Sequence, residues 1–150
     1  MMPKLDLSAL PREQAPPHWN PMSWLTLGDP GGLSQFGVAM ETLDPGSRSS
    51  DPHWHENEDE FLYVLSGEVT LCEGTGETPL LPGDAAAFPA GNPVGHTLAN
   101  RSGSPATYLI IGTRAASERV HYTMLDKIRT RENGVETLTR RDGTILEPER

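Results

Sequence analysis

One cysteine, Cys72, is all the chain carries, so no intramolecular disulfide framework holds it together. Cys72 is read as a small, half-buried strand residue rather than a redox or catalytic group. No run approaches the roughly 18 apolar residues that a membrane span needs. The opening Met1-Met2-Pro3-Lys4-Leu5-Asp6 lacks the apolar core of a signal peptide. A cytoplasmic protein without a membrane partner is therefore expected. Positive charge is also scarce: 12 Lys and Arg stand against 21 Asp and Glu, a net charge of −9. Only Arg140 and Arg141 are adjacent, and a phosphate-tracking surface needs clustered cations, so nucleic acid is not an expected partner. Acidity of this size serves solubility. Hydrophobic residues make up only 35% of the chain and mean hydropathy is −0.47, a bias that disordered chains share. The apolar segments 61–65 and 108–111 argue for a folded middle.

What the sequence has in quantity is turn residues. Fifteen Gly and 14 Pro in 150 residues favour many short strands over long helices, within a length suited to one domain. Residues 1–34 read as an irregular arm broken by Pro11, Pro16, Pro17 and Pro21, with Trp19, Trp24 and Leu25 as anchors. Strand-like segments follow at 35–43, 60–65, 69–73, 77–81, 85–88, 95–100, 106–112 and 120–125, separated by Gly and Pro turns. Such spacing predicts an all-β closed barrel or jelly roll over 35–125. Residues 126–150 read as a C-terminal extension packing on the barrel. In it, 127–131 has weak helical preference, and Arg141-Asp142-Gly143 signals a small terminal hairpin. Gly67, Gly83 and Gly91 stand at tight turns expected to need positive φ, stiffened by Pro82 and Pro89.

The chemistry lies in His53-Trp54-His55, Glu60 and His96. Residues two apart in a strand share a face, so His53 and His55 can point together into a barrel. A chance HxH carries little weight; here a carboxylate and a third histidine accompany it. Among the acidic residues that follow, Glu60 has the parity of Leu62 and Val64, while Asp59 has the opposite parity. Glu56 and Glu58 read as solvated loop charges. Three imidazoles and one carboxylate suit one divalent transition metal, and leave coordination positions for water or substrate. Fe, Mn, Co, Ni, Cu and Zn all accept such ligands. Arg48, Ser49, Ser50 and Arg101 are further polar candidates near the site. Tyr63 shares parity with Phe61 and Leu65 and is expected to face away; His18 and His121 lack ligand spacing.

These residues resemble the cupin superfamily, in particular its short bacterial single-domain members. The first cupin motif, G-x5-HxH-x(3,4)-E-x6-G, is matched by Gly46, His53, His55, Glu60 and Gly67. The second, G-x5-PxG-x2-H-x3-N, is matched by Gly83, Pro89, Gly91, His96 and Asn100. Two departures exist: six residues separate Gly46 from His53, and four separate Gly91 from His96. Both additions fall in loops, where insertion costs little, and they reshape the pocket rim. The resemblance implies a cupin-type jelly roll holding a metal at His53, His55, Glu60 and His96. Segments 52–60, 61–71 and 112–114 resemble a subgroup in which some members are described as sugar-phosphate isomerases.

Fold does not dictate activity, so three readings stand. The first is a small-molecule enzyme using the metal as a Lewis acid, isomerase- or lyase-like on a sugar phosphate or carboxylate, or as an Fe(II) dioxygenase. The second is a metal-dependent binding or sensing module, motivated by the lack of an evident acid–base partner to the metal. The third is a structural barrel with an empty site. A homodimer formed through strand edges and swapped N-terminal arms is expected.

Overall fold

The computed structural model describes residues 4–147; the outermost three residues of the expected arm and of the expected extension lie outside it. Thirteen strands follow in chain order: β1 (Glu13–Gln14), β2 (Met22–Thr26), β3 (Phe36–Leu43), β4 (His53–His55), β5 (Glu60–Ser66), β6 (Val69–Glu73), β7 (Gly76–Leu80), β8 (Ala85–Phe88), β9 (His96–Ala99), β10 (Ala106–Thr113), β11 (Ser117–Tyr122), β12 (Lys127–Glu132) and β13 (Val135–Thr139). They form two antiparallel sheets, β1-β2-β3-β10-β5-β8 and β13-β12-β11-β4-β9-β6-β7. This is a jelly roll, and the only helices among the described residues are single 3-10 turns at Leu7–Ala9 and Asp29–Gly31.

Alternation builds the core. Leu43, Leu62, Val64, Val69, Leu80, Phe88, Leu98, Ala106 and Tyr108 pack between the sheets, each pointing inward because alternate strand residues share a face. Asn100 is buried where the chain leaves β9. Its amide donates to the carbonyls of Leu43 (2.9 Å) and Ser104 (2.8 Å), while its oxygen accepts from Ser102. That network ties three loops and satisfies groups that burial would otherwise penalise.

Two stretches differ from the sequence reading. The arm is not wholly irregular: β2 pairs along β3 from Met22↔Leu43 to Thr26↔Ala39, because no proline falls between Pro21 and Pro30 to interrupt it. Residues 127–131 are strand, not helix. Lys127–Glu132 pairs with β11 on one side and β13 on the other, and tertiary pairing overrides a weak local preference. The β12–β13 hairpin turns at Asn133-Gly134, both with positive φ (50° and 77°), the geometry an Asn-Gly turn supplies. Beyond it, Thr139↔Ile145 forms an isolated bridge around Arg141-Asp142-Gly143, close to the expected terminal return.

Gly67 carries the chain from β5 in one sheet to β6 in the other. Its φ is +73°, and an added Cβ would lie 2.5 Å from the Pro105 oxygen and 2.7 Å from the Ala106 Cα. Neither backbone atom can yield cheaply. Gly67→Ala is expected to cost roughly 2–3 kcal/mol in urea unfolding. Gly143→Ala, also at positive φ but with nothing within 4 Å, is expected to cost about 1 kcal/mol. Equal losses at the two positions would contradict the packing account.

Candidate metal centre and its cavity

The candidate site spans the two sheets. His53 and His96 face each other directly across the β4–β9 pair, and β11 flanks β4 on the other side through Val120↔His55 and Tyr122↔His53. Glu60 opens β5 of the opposite sheet, paired with Phe88. Its carboxylate reaches across: Oε2 lies 2.8 Å from His96 Nε2, and Oε1 lies 3.2 Å from His55 Nε2. Ligand atoms of His53, Glu60 and His96 all lie within 4.8 Å of one another. The ring centroid of His53 is 5.1 Å from that of His55 and 5.0 Å from that of His96. His53, Glu60 and His96 thus form one ligand-sized group with His55 beside it through Glu60, while His55 also groups with Glu58 and Glu118.

The rings are held from behind. His53 Nδ1 lies 2.8 Å from the Asp51 carbonyl and 3.1 Å from Ser50 Oγ. A carbonyl can only accept, so Nδ1 carries the proton and Nε2 keeps its lone pair. His96 stacks on Phe88 with centroids 3.8 Å apart at 7°. Both ring nitrogens of His55 are buried without a hydrogen-bond partner. An orphaned imidazole nitrogen costs free energy that a bound cation would recover. Three histidines and a carboxylate are a donor set suited to a first-row divalent ion.

The electrostatics agree with that donor set. Burial lowers the His53 pKa to about 4, outweighing the Asp51 hydrogen bond, so the ring is neutral at ordinary pH. Burial pushes the Glu60 carboxyl up, but the nearby His55 ring and then the His96 hydrogen bond overcome it and hold the group well below the usual range. For His55, burial acts downward, yet the nearby Glu60, then Glu118 and Glu58, raise it overall.

A cavity of about 110 Å³ opens beside the cluster, lined among others by Glu41, Ser50, His53, Glu60, His96 and Tyr108. Below the usual range for ligand pockets, it admits the reactive end of a small molecule. Across it the Tyr108 hydroxyl donates to Glu41 Oε2 at 2.5 Å. Burial raises the Glu41 carboxyl, against the lowering by Tyr108. Burial and then the Glu41 charge hold the Tyr108 phenol well above its usual value. Sequence reasoning found no acid–base partner, yet parity was a signal: Glu41 shares a core-facing register with Leu43, and Tyr108 pairs with it across β3 and β10.

Other expected candidates fall elsewhere. Arg48 pairs with Asp51 at 2.7 Å, and Arg101 pairs with Glu77 at 2.5 Å on the exterior. Tyr63 faces out, as its parity requires. Ser49, by contrast, lines the cavity and bonds Thr97 (3.3 Å), while His121 stacks on Trp54 and meets Glu56 at 2.9 Å. Glu58 is a correction: it is only 8% exposed, because β12 brings Arg131 to 2.9 Å from its Oε2.

No helix among the described residues is long and apolar enough to cross a membrane. Among curated proteins none matches this sequence. The family model described as Cupin domain matches residues 39–112. A Silicibacter pomeroyi structure, called a sugar phosphate isomerase from a cupin superfamily, is 42% identical over 96% of each chain, with a TM-score of 0.89. An Acidithiobacillus ferrooxidans structure, provisionally called a sugar phosphate isomerase, is 30% identical over 85% of this chain and 82% of its own, with a TM-score of 0.75. The polyketide cyclase RemF from Streptomyces resistomycificus, 21% identical over 75% of this chain and 80% of its own with a TM-score of 0.64, shares the fold. Together with the jelly roll and the two matched motifs, these similarities establish that the chain belongs to the cupin superfamily.

Proposed function

We propose that this cupin is a metal-dependent isomerase acting on a small hydroxy-carbonyl compound, with a sugar phosphate as the substrate class to test first. The observation that carries the reading is the placement of the Glu41–Tyr108 pair on the same cavity as His53, Glu60 and His96. His53, His55, Glu60 and His96 would hold one divalent ion, which would polarise a carbonyl oxygen as a Lewis acid. Glu41, in its carboxylate form, takes the proton from the hydroxyl-bearing carbon beside that carbonyl; the C–H pair becomes a C=C bond as the carbonyl π pair moves onto oxygen, giving an enediolate. The neighbouring hydroxyl proton passes to that oxygen, Glu41 returns its proton to the former carbonyl carbon, and the second oxygen's pair forms the new C=O, with no oxidant consumed. A buried carboxyl with a raised pKa suits this traffic, and Tyr108 fixes its orientation. The Silicibacter pomeroyi relative, 42% identical and called a sugar phosphate isomerase, supports the substrate class.

Two measurements test this. Protein purified without chelators is expected to carry one equivalent of a divalent ion by elemental analysis, and His53→Ala and His96→Ala to carry little. Equal content in all three would end the metal reading. A panel of aldose and ketose phosphates incubated in D2O is expected to show isomerised product and deuterium at the carbon beside the carbonyl. Glu41→Gln is expected to slow turnover about 10²–10³-fold at unchanged metal content. Oxygen consumption coupled to substrate loss would instead mark a dioxygenase, and substrate recovered unchanged would mark a binding module.

We further propose a homodimer. Phe61, Tyr63 and Leu65 line the outer face of β5 at 40%, 40% and 41% exposure, beside Leu109 and Ile111 of β10 and Ala85 and Ala87 of β8. On a chain of net charge −9, copies meet with least repulsion on an uncharged strip. Light scattering is expected to give twice the chain mass of 16.4 kDa; a single-chain mass would contradict this.

A further inference from the structure

Behind His55, on the side away from the cavity, lies a second group of buried polar side chains. Glu118 stands on β11 in the register of Val120, which pairs with His55, and it is 2% exposed. Its Oε1 accepts three backbone N–H groups, from Glu56 (3.0 Å), Asn57 (3.0 Å) and Arg119 (2.6 Å). Its Oε2 is buried with no hydrogen bond and lies 3.7 Å from His55 Nδ1, which is equally unpartnered. Glu58 Oε1 stands 3.9 Å from the same nitrogen, while Glu58 Oε2 is engaged by the Ala115 N–H and by Arg131, each at 2.9 Å.

The charges decide what this group does. Glu58 has a guanidinium partner in Arg131 and Glu118 has none, which leaves negative charge directed at His55 Nδ1. A carboxylate oxygen only accepts, and a lone pair on Nδ1 turned toward it would be repelled. We propose that Glu118 is a positioning residue that favours the proton on His55 Nδ1, so that a cation held with Glu60, His53 and His96 meets the Nε2 lone pair. With no cation bound, Glu60 Oε1, 3.2 Å from Nε2, competes for that proton. That His55 ligates a metal rests on the proposed function; the tautomer assignment does not. A ligating histidine whose other nitrogen is anchored by a carboxylate is oriented and made more basic. The same residues also have ligand atoms close enough to hold a cation themselves. Arg131 and the three N–H donors already supply that positive charge, which favours the positioning role.

Glu118→Gln tests the assignment with little change of shape. The amide oxygen stays with the three N–H donors, so the NH2 group faces Nδ1 and demands an acceptor there. In metal-free Glu60→Ala protein at alkaline pH, where the ring is neutral and the carboxylate facing Nε2 is gone, 15N NMR is expected to show His55 as the Nδ1–H tautomer, and as Nε2–H once Glu118→Gln is added. By chelator competition, zinc affinity is expected to fall about 10–100-fold in Glu118→Gln. In a His55→Ala background the same substitution is expected to cost nothing further. Nε2–H in the Glu60→Ala protein, or an equal loss with and without His55, would overturn the proposal. So would a second zinc equivalent lost on Glu118→Gln, because it would make the group a cation site. Wild type that takes up no zinc, together with Nδ1–H in the Glu60→Ala protein, would defeat the metal reading and leave the Glu118 assignment standing.

Discussion

The direct pairing of His53 with His96 across β4 and β9 is the constraint from which the chemistry of this molecule follows. It fixes two imidazoles on one inner face, and strand alternation brings His55 to the same face two residues on. Glu60 arrives from the other sheet, so its reach to His55 and His96 holds only while the sheets keep their spacing. Burying three imidazoles and a carboxylate is costly unless each is paired. Asp51, Ser50, Phe88 and the Glu118–Glu58–Arg131 group occupy the backs of the rings and hold them in place.

The cavity adds a second polar pair to an otherwise apolar interior. Glu41 and Tyr108 occupy core positions among Leu43, Leu62 and Ile110, where aliphatic residues would pack at lower cost. A barrel needed only for architecture gains nothing from a carboxyl–phenol pair there. Departures of this kind from the packing rule concentrate at functional sites, which ties the proposed proton transfer to a visible structural expense.

Much of this was legible in the sequence because a strand repeats every two residues. Parity selected Glu60 over Asp59 and turned Tyr63 outward, and the turn glycines Gly67, Gly83 and Gly91 do adopt positive φ (73°, 93° and 80°). What escaped depended on partners distant in the chain. Glu58 resembled a solvated loop charge until β12 placed Arg131 beside it, and Lys127–Glu132 lacked strand signals because the flanking β11 and β13 supply its order. Glu41, Glu118 and the Asn133-Gly134 turn carried local signals: two acidic residues at core parity, and a dipeptide that favours tight hairpins.

The central claim is that four side chains from three strands meet on one ion. X-ray absorption at the edge of the metal copurifying with the native protein tests it most directly. The account requires a single light-atom shell containing three imidazole nitrogens and a carboxylate oxygen at about 2.0–2.2 Å, the range for zinc and similar for related first-row ions. Outer-shell scattering from three imidazole rings should accompany it. A spectrum with fewer than three imidazoles, or an ion coordinated mainly by water, would contradict it.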